Sequence, residues 1–325
     1  MDEILARAAA DLHARRAQGR PPGELAFYGG TFTALAPRDL DACLDMADSL
    51  RRDGCITRFR CSTRPDRLDA ALLARLRRHG CRTVELGIQS FSDTALQASE
   101  RHYSGRQATE ACRLVRDAGL ALGVQLLPGM PGHQPEDFLA DVRRALDLGA
   151  DMLRFYPCLV LAGTELARRW QQGLYAPWPL PRTLSLLARG WLYARRAGVP
   201  VIRMGLAPEP GMEAALLAGP ADRNLGGRVL GRALWLHVCA CLLRTRGDDA
   251  ARSEVRAAAL LDALLAGGEA PAGLPRAQAL YLPRSCQGFF RGPGDELGTA
   301  WAALGITRRN LVWTAGQAAS LHLDA

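Results

Sequence analysis

Alternation of apolar runs with amphipathic stretches organises the first half of this chain. Short apolar segments at Glu24–Gly30, Thr57–Cys61, Thr83–Ile88, Leu120–Leu126 and Met152–Tyr156 read as strands. Between them, apolar residues recur at helical spacing over 38–52, 66–79, 104–118 and 135–149. Each of these stretches stops near a glycine (Gly54, Gly80, Gly119, Gly149), the usual C-terminal signal of a helix. The βαβαβαβαβ order predicts a parallel sheet or barrel covered by helices. Runs such as Val84-Glu85-Leu86-Gly87-Ile88 are largely apolar, as expected of strands under such a cover. A further helical stretch, 2–18, opens the chain and ends at Gly19 and Pro21-Pro22. In a β/α barrel a helix follows a strand, so the pattern predicts a partial barrel whose first strand is missing.

The rhythm changes after Tyr156. A helix is predicted over 164–172, then a turn through Pro177, Pro179 and Pro181, a helix over 182–197 and a strand at Val199–Leu206. A helical block covers 228–265, and the Gly- and Pro-rich stretch 266–275 reads as a linker. Beyond it come a strand at 277–282, two short helices around a Gly-rich turn at 288–294, and a strand at 310–314. The expected domains are therefore a partial β/α barrel over 1–220, a helical extension over 221–265 and a small α/β subdomain over 277–325.

Composition narrows the function classes. At 325 residues, 48% hydrophobic and 23% charged, the chain has room for one large α/β domain and an appendage. All 41 basic residues are Arg, which with abundant Ala and Gly fits GC-rich coding. The net charge of +8 is therefore weak support for a nucleic-acid partner. No apolar run approaches the roughly 18 residues that span a bilayer, and no signal-peptide core is visible at the N-terminus. Nine scattered cysteines predict reduced thiols, and a cytoplasmic protein with no membrane partner.

Candidate chemistry lies where strands end, the face that carries function in barrels. Tyr28-Gly29-Gly30-Thr31 follows the first strand, and Ser62-Thr63-Arg64-Pro65-Asp66 the second. Gln89-Ser90 ends the third strand, and Gly129-Met130-Pro131-Gly132 follows the fourth. In order and spacing these four signatures resemble the radical S-adenosylmethionine superfamily. The resemblance is to the group of the elongator catalytic subunit without its acetyltransferase domain, and more faintly to oxygen-independent coproporphyrinogen oxidase. It covers residues 24–220.

The resemblance implies that Gly29, Gly30 and Thr31 contact the methionine end of S-adenosylmethionine, with Ser62 and Gln89 on strand ends facing it. Arg101, twelve positions after Gln89, is implied to bind the cofactor carboxylate, a task suited to a planar guanidinium. Gln125 is implied to bond the ribose, and Gly129 to shape the turn beside the adenine. RNA is the implied partner, with an electron donor if the protein is active. The Gly288–Gly294 turn resembles the phosphate-clamping loop of a KH-like RNA module, with an ordinary turn as the competing reading. Glu85 and Arg154 are inward candidates for a buried ion pair, Cys61 for a packed thiol, and His133 for a side chain reaching the cavity.

One departure stands out. The family's 4Fe-4S cluster is held by CxxxCxxC, and cysteines 43, 55, 61, 81, 112, 158, 239, 241 and 286 contain no such set. The resemblance implies that these ligands lie upstream of Met1, just before the helix at 2–18. Enzyme activity of the chain is thus left open, the alternative being a non-catalytic relative that binds RNA or a protein. A Schiff-base lyase is excluded by the lack of Lys.

Overall fold

The computed structural model describes residues 1–206, 211–316 and the backbone of 320–323, so 317–319 and the last two residues of the expected 277–325 subdomain lie outside it. The chain forms two compact units, Met1–Tyr156 with Ala197–Arg203, and Pro157–Arg196 with Met204–Ala325.

The first unit runs α1 (Asp2–Ala17), β1 (Gly23–Phe27), α2 (Pro37–Arg52), β2 (Ile56–Thr63), α3 (Ala70–Arg78) and β3 (Cys81–Gln89). It continues through α4 (Asp93–Ala98), α5 (Gly105–Asp117), β4 (Ala121–Leu126), α6 (Pro135–Asp147) and β5 (Met152–Phe155). In the second unit come β6 (Val160–Leu161), α7 (Glu165–Gln171) and α8 (Leu180–Arg196), after which β7 (Val201–Met204) returns to the first sheet. The chain then forms α9 (Met212–Ala215), β8 (Leu216–Ala218), α10 (Leu225–Arg244), α11 (Ala250–Leu265), β9 (Ala277–Pro283), α12 (Gly298–Ala303), β10 (Leu311–Thr314) and β11 (Ser320–Leu323).

Six strands make one curled, parallel half-barrel sheet in the order β1-β2-β3-β4-β5-β7. Sequential neighbours along the sheet are what right-handed β-α-β crossovers produce. Local signals start the helices: the Asp69 carboxylate accepts from Leu72 N at 2.8 Å to cap α3, and Ser104 and Gln107 form a reciprocal capping box on α5. The sequence reading of 66–79 began α3 early, because residues 66–68 lie before that cap.

Period-two alternation gives the sheet two unlike faces. Phe59, Val84, Leu86, Ile88, Leu122, Leu153 and Phe155 are buried on the helix-covered side. Phe138 of α6 meets Phe155 edge-on with ring centroids 5.2 Å apart, and Phe27 packs edge-on to Phe59 at 5.5 Å. Burying each such ring contributes about 1.5–3 kcal/mol, so this layer is the core. Ala9 and Leu12 of α1 join Leu25 and Met46 against Leu50, Cys55 and Ile56. Among the described residues, β1 pairs only with β2 and its other edge has no strand beside it.

The second unit packs α8, α10 and α11 together and carries a three-stranded sheet of order β10-β9-β11. The helical block predicted over 228–265 is two helices, broken at 245–249, and β11 lies beyond the last predicted strand. By length and composition α10 could cross a membrane, a possibility the sequence reading did not register because its arginines interrupt the apolar run. Twelve of its residues are buried, which is the behaviour of a core helix. Its Arg228 and Arg232 bond Glu296, at 2.6 Å and 2.8 Å. Burial alone would raise the Glu296 carboxyl, but the two guanidinium groups override it and hold it below the usual range.

Candidate functional site

The inner face of the half-barrel carries the polar half of the alternation. Register places Ala26 beside Arg60, Ser62 beside Glu85, Glu85 beside Gly123, and Gln125 beside Arg154. Small residues in this layer make room for large ones. A Cβ on Gly123 would lie 2.7 Å from the Glu85 Cγ, so only glycine lets that side chain cross β4.

Glu85 is the hub. Arg154 Nε lies 2.6 Å from its Oε2, and Arg60 Nη1 donates to its Oε1 at 3.2 Å. The Tyr28 hydroxyl donates to Glu85 and accepts from Arg154 Nη2 at 2.7 Å, while Arg154 Nη1 donates to the Tyr156 hydroxyl at 3.0 Å. Arg60 also donates from Nε to Glu24 at 2.7 Å. Burial first, and then the bond to Glu85, push the Tyr28 phenol up to about 12, so it stays protonated and keeps donating. The expected Glu85–Arg154 ion pair is thus part of a network that also includes Glu24, Tyr28, Arg60 and Tyr156. Sequence reasoning quoted Tyr28 only as the start of the glycine signature and passed over the other three. Period-two spacing of Glu24 with Tyr28, and of Arg154 with Tyr156, was the available signal.

Above this layer, at the carboxyl ends of the strands, lie the predicted site residues. Gly29, Gly30 and Thr31 follow β1; Ser62 is the penultimate residue of β2; Gln89 ends β3; Gln125 is one residue from the end of β4; Gly129 lies in the turn beyond. Gln125 Nε2 approaches Gln89 Oε1 at 3.4 Å. Gln89 adopts φ 64°, a left-handed conformation costly for a non-glycine, at an irregularity in the β3–β4 pairing.

Arg101 follows α4, and its charge bears on the Tyr103 hydroxyl. That hydroxyl contacts the carbonyls of Gly87 and Ile88 at 3.0 and 2.9 Å, just before Gln89. Thr33 ties two loops together: its hydroxyl donates to the Arg67 carbonyl and so accepts from the Thr63 hydroxyl. No hydrogen bond links Gly29, Gly30, Thr31 or Ser62 to the Gln89–Gln125 pair; what they share is the end of the sheet.

For His133 the structure supports the packing role over the cavity role. It is buried, its Nδ1 accepts from Gly129 N at 3.2 Å, and its Nε2 donates to Asp141 at 3.2 Å. Asp141 in turn accepts from Phe91 N at 2.8 Å. His133 thus clamps the Gly129–Gly132 turn onto α6 and does not reach a cavity. Cys61 is fully buried, and its contact with Cys81 followed by burial raises the thiol well above its usual value, as befits packing.

Comparison with known proteins now decides the family. The Radical SAM superfamily profile matches residues 5–145, and the Radical_SAM C-terminal domain profile matches 150–232. The chain belongs to the radical SAM superfamily. It is 31% identical over 188 residues to a tRNA uridine(34) acetyltransferase of Methanocaldococcus jannaschii, a match covering 51% of this chain and 34% of that protein. It is 28% identical over 133 residues to Elongator complex protein 3 of Drosophila melanogaster, covering 39% and 24%. The match thus spans about a third or less of the length of these curated relatives. Among solved structures, archaeal Methanocaldococcus infernus Elp3 with an N-terminal deletion superimposes with a TM-score of 0.58 at 24% identity. That likeness covers 69% of this chain and 57% of that one, and it establishes the half-barrel fold.

Radical SAM proteins use S-adenosylmethionine and a 4Fe-4S cluster, and this chain's residues fit the two groups unequally. For the cofactor the fit is good. A Cβ on Gly29 or Gly30 would meet nothing within 4 Å; the φ of 99° calls for glycine at 29, but neither packing nor backbone calls for it at Gly30. An open glycine turn beside polar side chains suits a ligand's amino and carboxylate groups. For the cluster the fit fails. Among the described residues no three His, Cys, Asp or Glu side chains gather, and seven of the nine cysteines are buried singly or beside one another. Burial pushes Cys112 and Cys239 up to about 12, the reverse of what a thiolate ligand needs.

Proposed function

We propose that this chain is the radical SAM portion of an RNA-modifying protein, binding S-adenosylmethionine at the carboxyl ends of β1–β4 and receiving an RNA base beside it. The observation behind this reading is the gathering of Gly29–Thr31, Ser62, Gln89, Gln125 and Gly129 on one end of one sheet, with Gln89 held in a strained conformation there. Relatives named for tRNA uridine(34) acetylation motivate RNA as the substrate class.

In this reading Gly29, Gly30 and Thr31 receive the methionine end through main-chain groups. Arg101 holds its carboxylate, Ser62 and Gln89 face it, Gln125 takes the ribose, and Gly129 shapes the turn at the adenine. When bound, the cofactor would supply a sulfonium open to one-electron cleavage. The residues present do not fit the cluster that would deliver the electron, so no step is assigned to it. The chain's own residues bind, orient and exclude water.

Calorimetric titration with S-adenosylmethionine tests this site. Arg101→Ala and Gln125→Ala should each weaken binding about tenfold, the loss of one charge-assisted or well-placed hydrogen bond. His102→Ala, on an exposed neighbour, should leave it unchanged. Equal binding by all variants would sink the assignment.

A second reading is a module that binds RNA without cleaving the cofactor; it is motivated by the described residues, among which no three metal-ligating side chains gather. Anaerobic reconstitution separates the two. A stable 4Fe-4S spectrum with deoxyadenosine release supports catalysis, whereas a colourless protein that still binds RNA supports the module.

A further inference from the structure

Tyr28 presents an unusual combination. The residue is 49% exposed, yet its hydroxyl is held by Glu85 and by Arg154 Nη2 at 2.7 Å. The Arg154 guanidinium carbon also lies 5.0 Å from the ring centroid, capping one side of the ring. Both side-chain torsions are therefore fixed although about half of the residue remains accessible. The residues that follow, Gly29 and Gly30, leave the space at their Cα positions empty to 4 Å.

The supporting network is costly. Glu85 keeps 5% of its side-chain exposure and Arg154 16%, and burying such charges seldom raises stability over an apolar pair. A buried ion pair that fixes an exposed ring makes sense if the ring's orientation matters. A tyrosine with two torsions already locked loses little entropy on stacking, and a cation on one face polarises the ring for a planar partner on the other.

We propose that Tyr28 is a pre-aligned stacking platform for an unpaired RNA base at the mouth of the half-barrel, with Glu85 and Arg154 as its positioning residues. This rests on the reading of the chain as RNA-directed, and it adds where the base sits and what orients it. Stacking on an aromatic ring tolerates any base, because every base has a π face. The platform therefore selects an unstacked, single-stranded nucleotide, and base identity is read elsewhere.

The experiment is a binding cycle on the full chain, using a short RNA stem-loop with unpaired uridines and the same stem-loop with one loop uridine made abasic. Wild-type protein should bind the abasic RNA roughly tenfold more weakly than the intact one. Tyr28→Leu should bind intact RNA about tenfold more weakly than wild type and no longer distinguish the two. Tyr28→Phe, which keeps the ring and loses the tether, should retain most of the discrimination. A purely structural hydroxyl would instead make Phe and Leu equally poor.

A Leu variant that binds and discriminates as wild type does overturns the platform while leaving the RNA reading intact. Wild-type protein that binds neither RNA overturns the RNA reading, and the platform with it. In parallel, S-adenosylmethionine binding should be equal in wild type and Tyr28→Leu. Its selective loss would assign the ring to the cofactor's adenine and retire the RNA base.

Discussion

The two faces of the six-stranded sheet are built from the same strands and answer to different demands. The helix-covered face is apolar, with Phe59 1% and Phe155 0% exposed, and it interlocks aromatic rings. The inner face carries five charges, on Glu24, Arg58, Arg60, Glu85 and Arg154, linked across three strands and β5. One face contributes the free energy of folding; the other spends part of it on positioned polar groups. The same chemistry elsewhere has another purpose. Glu296 bridging Arg228 and Arg232 presents no exposed ring and joins α10 to the segment before α12.

That contrast can be broken most severely from the apolar side. Phe155→Ala should cost about 3–5 kcal/mol by chemical denaturation, since the ring is fully buried against Phe138. A loss under about 1 kcal/mol would mean the helices are not the core layer.

From the polar side, Glu85→Ala should cost about 3 kcal/mol because Arg60 and Arg154 are left without their shared carboxylate. The double variant Glu85→Met/Arg154→Met should recover most of that loss while weakening RNA binding by up to about tenfold, no more than Tyr28→Leu does. Recovery of stability and binding together would refute the view that the inner network serves function.

Gly123→Ala tests the crowding between the faces' strands. Its new methyl falls on the Glu85 side chain, so a loss of about 1–3 kcal/mol is expected. Combining it with Glu85→Ala should remove most of that penalty, which a double-mutant cycle would reveal.

The smallest effect concerns Tyr103, whose phenol burial pushes up to about 12. Its folded value lies above the ordinary 10.0, so the folded protein holds this proton more tightly than the unfolded chain does. Stability from this group is present below about pH 10 and is lost as pH rises towards 12. Tyr103→Phe should cost about 1 kcal/mol at neutral pH and flatten the alkaline decline. An equally steep decline in the variant would assign the effect to another group.

Much of this was legible in sequence order. Alternating apolar runs and helical spacing with glycine stops determined the βα repeat, because both periodicities are local. Strand-end signatures determined which end of the sheet carries the candidate site, since in a parallel sheet every carboxyl end points the same way. Only the tertiary structure decided which polar residues meet. Tyr28 and Arg154 are far apart in sequence and are joined by the curl of the sheet and by a glycine on β4 that lets Glu85 pass between them. The clamp made by His133 could not be read from sequence for the same reason. Its spacing within the turn carries no information about Asp141, and it is helix packing that encloses the two and makes a clamp of a candidate site residue. Periodicity is written along the chain, whereas the partners of a buried polar side chain are set by register and curvature.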